Sequence, residues 1–154
     1  MMESAGWHVV VEECHPGREL ADLARQAVAR KAEAVFVAGG DGSVGPVAGV
    51  LAGTETAMGV LPAGTANVFA QELGLPRMDW AHWFAVEEAA GKLARGQVRL
   101  VDIGLCNNRP FLLWAGVGLD GKVVNSIEPR DRWEKTFGVL NYAILTLWTS
   151  LDWT

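Results

Sequence analysis

Gly39-Gly40-Asp41-Gly42-Ser43 sets three glycines and a carboxylate directly behind a short apolar run, and Gly40 to Gly45 fits the spacing G-x-G-x-x-G. Glycines in this place let the backbone come close to phosphate oxygens, and a helix starting just beyond offers them its first amides and its positive end. A dinucleotide fingerprint is one reading of the spacing, but three features oppose it. Asp41 would set a carboxylate against a pyrophosphate, which is costly unless a cation lies between them. The next strand, Ala57 to Leu61, runs into Pro62 with no acid to hold a ribose hydroxyl. A βα unit also precedes the loop, whereas the fingerprint usually sits on the first strand. No G-x-x-x-x-G-K-[ST] is present, so the loop is not a P-loop. An aspartate placed here suits a Mg2+-bound triphosphate, met through the metal or its waters. The plainer reading is a strand-to-helix turn in which Asp41 caps a helix.

Leu61-Pro62-Ala63-Gly64-Thr65-Ala66-Asn67 repeats the design: strand end, glycine, hydroxyl, helix start. Both loops follow strands of one parallel sheet, so both should open at its carboxyl edge, where ligands bind. Thr65 as a simple cap and Asn67 as a solvated first-turn residue form the plainer reading. Two such loops together favour a shared phosphate or nucleotide site over two coincidental caps.

The elements around the loops alternate. Trp7 to Glu12 reads as a strand and Arg18 to Arg30 as an amphipathic helix. Ala34 to Ala38 reads as a strand buried on both faces, followed by a helix from Ser43 with Pro46 in its first turn and Gly53 as its stop. Ala57 to Leu61 is the next strand. Thr65 to Leu73 then forms a helix capped by Thr65 and ended by Gly74, and Trp80 to Arg95 forms another. The pattern predicts an α/β fold, a parallel sheet flanked by helices. After Gly96 come two strands, Gln97 to Cys106 and Pro110 to Val117, joined at Asn107-Asn108-Arg109, the start of an antiparallel β domain. A helix over Arg132 to Asp152 closes the chain. The boundaries are therefore 1–96 and 97–154.

Composition narrows the partners. A net charge of -5 leaves nothing to neutralise a row of phosphates, which argues against nucleic acid. Cys14 and Cys106 lie far apart, without the spacing of a disulfide framework or a zinc site, and are expected as reduced core residues. The first residues lack the basic and apolar regions of a signal peptide. The longest apolar stretch, Phe137 to Trp153, is broken by Asn141, Thr146, Ser150 and Asp152, so no transmembrane segment is expected.

Taken together, Gly39 to Ser43 and Leu61 to Ala70 resemble the paired motifs of the diacylglycerol kinase and sphingosine kinase catalytic-domain superfamily. Val101-Asp102-Ile103-Gly104 and Ala115-Gly116-Val117-Gly118-Leu119-Asp120 resemble its next two signatures, and the spacing fits from Val9 to Trp153. NAD kinase shares the first motif and the fold, but the G-T-x-N helix and the V-D-I-G run point to lipid kinases. The resemblance implies ATP- and Mg2+-dependent phosphorylation of a lipid hydroxyl, on diacylglycerol or a related lipid, in phospholipid biosynthesis. Gly39, Gly40, Asp41, Gly42 and Ser43 would wrap the nucleotide phosphates, with Asp41 also at the metal. Gly64, Thr65 and Asn67 would meet the nucleotide from the neighbouring loop. Asp120 matches the family's aspartate near the lipid headgroup, a catalytic candidate beside Asp41, although a turn aspartate between Gly118 and Gly121 explains it equally well. Lys135 reads better as a surface lysine than as a group steadying the transferring phosphate. The implied setting is cytoplasmic, at the inner face of the membrane where the lipid lies.

The sequence also departs from the family pattern. Ser43 replaces the usual threonine and keeps its hydroxyl, whereas Pro46 stands where a glutamate is common. The family's N-P-x-x-G phosphate loop would precede Met1, and its β-sandwich, with the catalytic base, would follow Thr154. The expectation is a chain truncated at both ends: a nucleotide-binding domain lacking its first strand, then the beginning of a lipid-binding domain. Such a chain should be inactive by itself and prone to associate through its open edges, homodimers included. Two alternatives stay open: NAD kinase-type or polyphosphate-dependent activity on the same fold, and a non-catalytic nucleotide-binding or partner-binding module.

Overall fold

Val44, Val47, Ala48 and Leu51 recur at helical spacing, and all four are buried on the inner face of one helix. That burial is what holds the helix, because its sequence carries three glycines and Pro46, and proline costs about 3 kcal/mol in a helix interior. The structure, a computed structural model, describes residues 2–15, 19–77, 82 and 84–113. Their elements run α1 (Leu20–Ala29), β1 (Ala34–Gly39), α2 (Asp41–Leu51), β2 (Ala57–Pro62), α3 (Val68–Glu72), α4 (Ala85–Leu93), β3 (Gly104–Cys106) and β4 (Arg109–Phe111). β1 and β2 pair in parallel, from Ala34 opposite Ala57 to Gly39 opposite Pro62. β3 and β4 pair antiparallel. This is the expected α/β order, a parallel sheet with flanking helices and then a small antiparallel one.

The core is built from small side chains. Ala24 of α1, Val37 of β1, Val60 of β2, Ala70 of α3 and Ala89 of α4 join the buried face of α2. Gly59 is a close-approach position: a Cβ there would lie 2.5 Å from Cδ1 of Phe36, whose ring forms a T-shaped pair with Trp7, centroids 5.8 Å apart. Two helices end in the same device. After α3, Leu75 N–H donates to Ala70 C=O and Gly74 N–H to Gln71 C=O, with Gly74 left-handed at φ 69°. After α1, Ala32 and Lys31 make the matching bonds to Ala27 and Val28, but the left-handed position is Lys31, at φ 57°. In the hairpin, Asn107 and Asn108 have φ of 48° and 61°, the pair of positive angles that a two-residue type I′ turn requires. The hairpin lies on α2, where a Cβ on Gly49 would overlap Pro110. It belongs to the compact unit Met1–Leu113.

Several expectations are corrected. Trp7 to Glu12 forms no strand: no ladder is assigned to it, and Val10 and Val11 are 63% and 82% exposed. β-branched residues favour strands only where a neighbour pairs and packs with them, and no described strand does so here. For the same reason β1 is less enclosed than expected, with Val37 buried but Ala38 exposed. α2 begins at Asp41, two residues early, which puts Pro46 sixth in the helix instead of in its first turn. α3 begins at Val68, not Thr65. α4 begins at Ala85 rather than near Trp80. Of the strand expected over Gln97 to Cys106 only Gly104–Cys106 forms, and Leu100 is fully exposed; the next strand is Arg109–Phe111, with residues 114–117 of its expected range outside the described residues. Cys14 and Cys106 are exposed, unbridged surface residues rather than core. No helix among the described residues is long and apolar enough to cross a membrane. Asp120, Lys135, the Ala115-to-Asp120 signature and the helix expected over Arg132 to Asp152 lie outside the described residues.

Candidate functional site

β1 and β2 finish level with each other, Gly39 beside Pro62, and the ladder continues one step further as Ala63 N–H donates to Gly39 C=O at 3.2 Å. The two chains therefore leave the sheet side by side at its carboxyl edge. Gly40 and Gly64 then touch backbone to backbone. A Cβ on Gly64 would overlap Gly40 Cα and lie 2.8 Å from Gly40 N, and one on Gly40 would lie 3.3 Å from Gly64 Cα. Neither glycine has a positive φ, so contact alone demands them.

From Gly40 the chain enters α2 directly. Ser43 and Val44 N–H both donate to Gly40 C=O, at 2.9 and 3.3 Å. This leaves the amides of Asp41 and Gly42 in the first turn with no acceptor inside the helix. Gly42 is exposed, and a Cβ on it would meet nothing within 4 Å. The Ser43 side chain lies back against the strand end, its Oγ 2.7 Å from where a Gly39 Cβ would stand. The resulting surface combines open backbone, free-ended amides and the positive end of an eleven-residue helix.

Asp41 and Asn67 fix the second loop. Asp41 Oδ2 accepts from Val68 N–H and Oδ1 from Phe69 N–H, both at 3.0 Å. These are the first two residues of α3, so Asp41 does cap a helix, but the neighbouring one. Asn67 is the N-cap residue of α3, in the left-handed conformation that asparagine tolerates, at φ 52° and ψ 45°. Its side chain is 2% exposed and turned to Gly64: Oδ1 accepts from Gly64 N–H at 2.8 Å, and Nδ2 donates to Gly64 C=O at 2.7 Å.

The expected residues Gly39, Gly40, Asp41, Gly42, Ser43, Gly64 and Asn67 thus form one contiguous constellation. Thr65 sits at its rim, exposed and without the capping role expected of it. Asn67 is neither solvated nor turned outward; it clamps the loop. The backbone amides of Val68 and Phe69 are the partners that motif reading missed, since amides carry no side-chain signal. Among the described residues no group of three or more His, Cys, Asp or Glu side chains converges. An open pocket of about 270 Å³ is lined by Gly74, Pro76, Arg77, His82, Glu88 and Lys92, none of them from the glycine loops.

Comparison with known proteins gives a consistent answer. A profile of the diacylglycerol kinase catalytic domain matches residues 1–106. A diacylglycerol kinase of Bacillus subtilis is 33% identical over 118 residues, covering 75% of this chain and 37% of the relative. A diacylglycerol kinase of Mycobacterium tuberculosis is 34% identical over 144 residues, covering 90% of this chain and 43% of its own. A probable YegS-like lipid kinase of Chromohalobacter salexigens is 33% identical over 129 residues, covering 81% and 39%. The chain spans less than half the length of these curated relatives. No solved structure matches.

Proposed function

This chain belongs to the diacylglycerol kinase catalytic-domain family, and on that premise we propose that its two glycine loops hold the phosphates of ATP for transfer to a lipid hydroxyl. The observation that carries the proposal is the backbone contact of Gly40 with Gly64, which brings two strand-glycine-helix junctions to one edge of the sheet. The amides of Asp41 and Gly42 and the positive end of α2 receive phosphate oxygens, with Ser43 and Thr65 as hydroxyls near by. Gly40 and Gly64 let the two loops stand in contact, and Gly39 leaves room for the Ser43 side chain.

Magnesium fits this site as the nucleotide's companion. Mg2+ in such sites fills much of its shell with phosphate oxygens and water, and Asp41, whose two oxygens already accept from the Val68 and Phe69 amides, would meet it through that water. Bound there, it would neutralise charge on the transferring group. The lipid hydroxyl oxygen bonds to the γ-phosphorus as the bond to the bridging β,γ-oxygen breaks, and ADP leaves. The hydroxyl proton goes to a general base; Asp120, by its resemblance to the family's headgroup aspartate, would stand near the lipid. Catalysis of this kind rests on positioning and charge neutralisation. The substrate class is diacylglycerol or a related lipid, reached from the cytoplasmic side where ATP is available.

Calorimetry on the purified chain tests the nucleotide site. ATP with Mg2+ is expected to bind more tightly than AMP, and adenosine not at all, because the phosphates make the contacts. Equal binding of adenosine and ATP, or no binding of ATP at millimolar concentration, would overturn the reading.

A further inference from the structure

Asn67 stands at the N-cap of α3, where a side chain ordinarily accepts from the helix's first free amides, yet both ends of its carboxamide are committed to Gly64. The amides at the start of α3 would be left without an acceptor but for Asp41, which reaches them from the other loop, one carboxylate oxygen to each. We infer that Asp41 is a positioning residue: its carboxylate fastens the second loop and α3 to the first loop before any nucleotide arrives. The inference rests on the loops being the nucleotide site, and it assigns Asp41 a task other than direct ligation of the metal.

The chemistry favours this assignment. A carboxylate at a helix N-terminus is stabilised by the amides and by the helix dipole, and two charge-assisted bonds at 3.0 Å hold it in one orientation. Direct coordination to a magnesium ion would compete with the amides for the same two oxygens. A metal contact made through water leaves the cap in place. The three-way arrangement is also economical in geometry: Gly64 touches Gly40, Asn67 holds Gly64, and Asp41, next to Gly40, holds the residues that follow Asn67. Asparagine cannot replace Asp41 here, because it has one acceptor, and its NH2 group would face a backbone N–H.

The test is amide hydrogen exchange by NMR on the whole chain, wild type and Asp41→Asn, together with ATP affinity in the presence of Mg2+ and with Mg2+ chelated. Without nucleotide, the Val68 and Phe69 amides should exchange about 2- to 30-fold faster in the variant, the range expected for loss of a helix cap. ATP affinity should fall by the same factor with and without Mg2+. In the wild type, adding Mg2+ and ATP should leave the two amides protected. Unchanged exchange in the variant, an affinity loss confined to the Mg2+ condition, or deprotection of Val68 and Phe69 in the wild type on adding Mg2+ and ATP would each overturn the inference. If the variant fails to fold, the wild-type exchange decides alone. If ATP does not bind, the nucleotide reading falls, while the exchange comparison still decides what holds α3.

Discussion

Gly42→Ala should make the free chain more stable and its nucleotide complex weaker, a pair of opposite signs that separates a phosphate site from a simple helix start. Gly42 is the second residue of α2, exposed and without a positive φ, and nothing lies within 4 Å of the place its new methyl group would take. Alanine is favoured over glycine by about 0.5–1 kcal/mol in a helix interior, and the low end, about 0.5 kcal/mol, applies so near the terminus. For a chain of this size that is a rise in Tm of about 1–2 °C. If phosphate oxygens rest on the Asp41 and Gly42 amides, the new methyl group stands in their approach. Loss of one hydrogen bond to a charged group costs about 1.5–3 kcal/mol, which weakens ATP binding about 10- to 150-fold. Thermal melts of the free chain and calorimetry with Mg2+ and ATP measure the two effects. Unchanged affinity in a folded variant would show that the phosphates do not lie over Gly42, and a lowered Tm would show that α2 does not begin at Asp41.

Three further outcomes are expected. Gly64→Ala puts a Cβ 2.8 Å from Gly40 N, against backbone that cannot turn away, so urea unfolding should show a loss of about 1–3 kcal/mol; a change below about 0.5 kcal/mol would mean that the loops separate freely. Lys31→Gly relieves a left-handed lysine at φ 57° and should stabilise the chain by about 0.5–1 kcal/mol after glycine's greater freedom in the unfolded state is counted, with no effect on nucleotide binding. The chain, which covers less than half the length of its curated relatives, should not by itself transfer labelled phosphate from ATP to diacylglycerol or sphingosine in mixed micelles at an appreciable rate, and lack of a general base alone would cost about 10²- to 10⁴-fold; a rate near that of a full-length relative would make Asp120 the first residue to substitute.

What could be read from the sequence, and what could not, follows from where the information sits. The strand-glycine-helix junctions, the parallel β1–β2 pair and the stop at Gly74 were legible because glycine placement and apolar runs act locally. So was the Asn107-Asn108 turn, whose residues both tolerate positive φ. The start of α3 was misread because Thr65 is a good cap in isolation, whereas the cap is Asp41, 27 residues away from Val68. Likewise the solvation expected of Asn67 gave way to its pairing with Gly64, a contact that offsets the cost of a left-handed backbone and leaves no trace in residue type. Trp7 to Glu12 has strand composition without a described strand to pair with, and propensity alone does not make a ladder. The aspartate was legible as a cap but not for the helix it serves.

The central claim, that the paired glycine loops receive nucleotide phosphates, is tested most directly by titrating Mg2+ and ATP into the ¹⁵N-labelled chain and following backbone amides. Saturable shifts are predicted at Gly40, Asp41, Gly42, Ser43, Gly64 and Thr65, with Arg77 and Lys92 of the separate basic pocket unmoved. Shifts centred on that pocket, or no shift at the glycine loops at millimolar nucleotide, would contradict it.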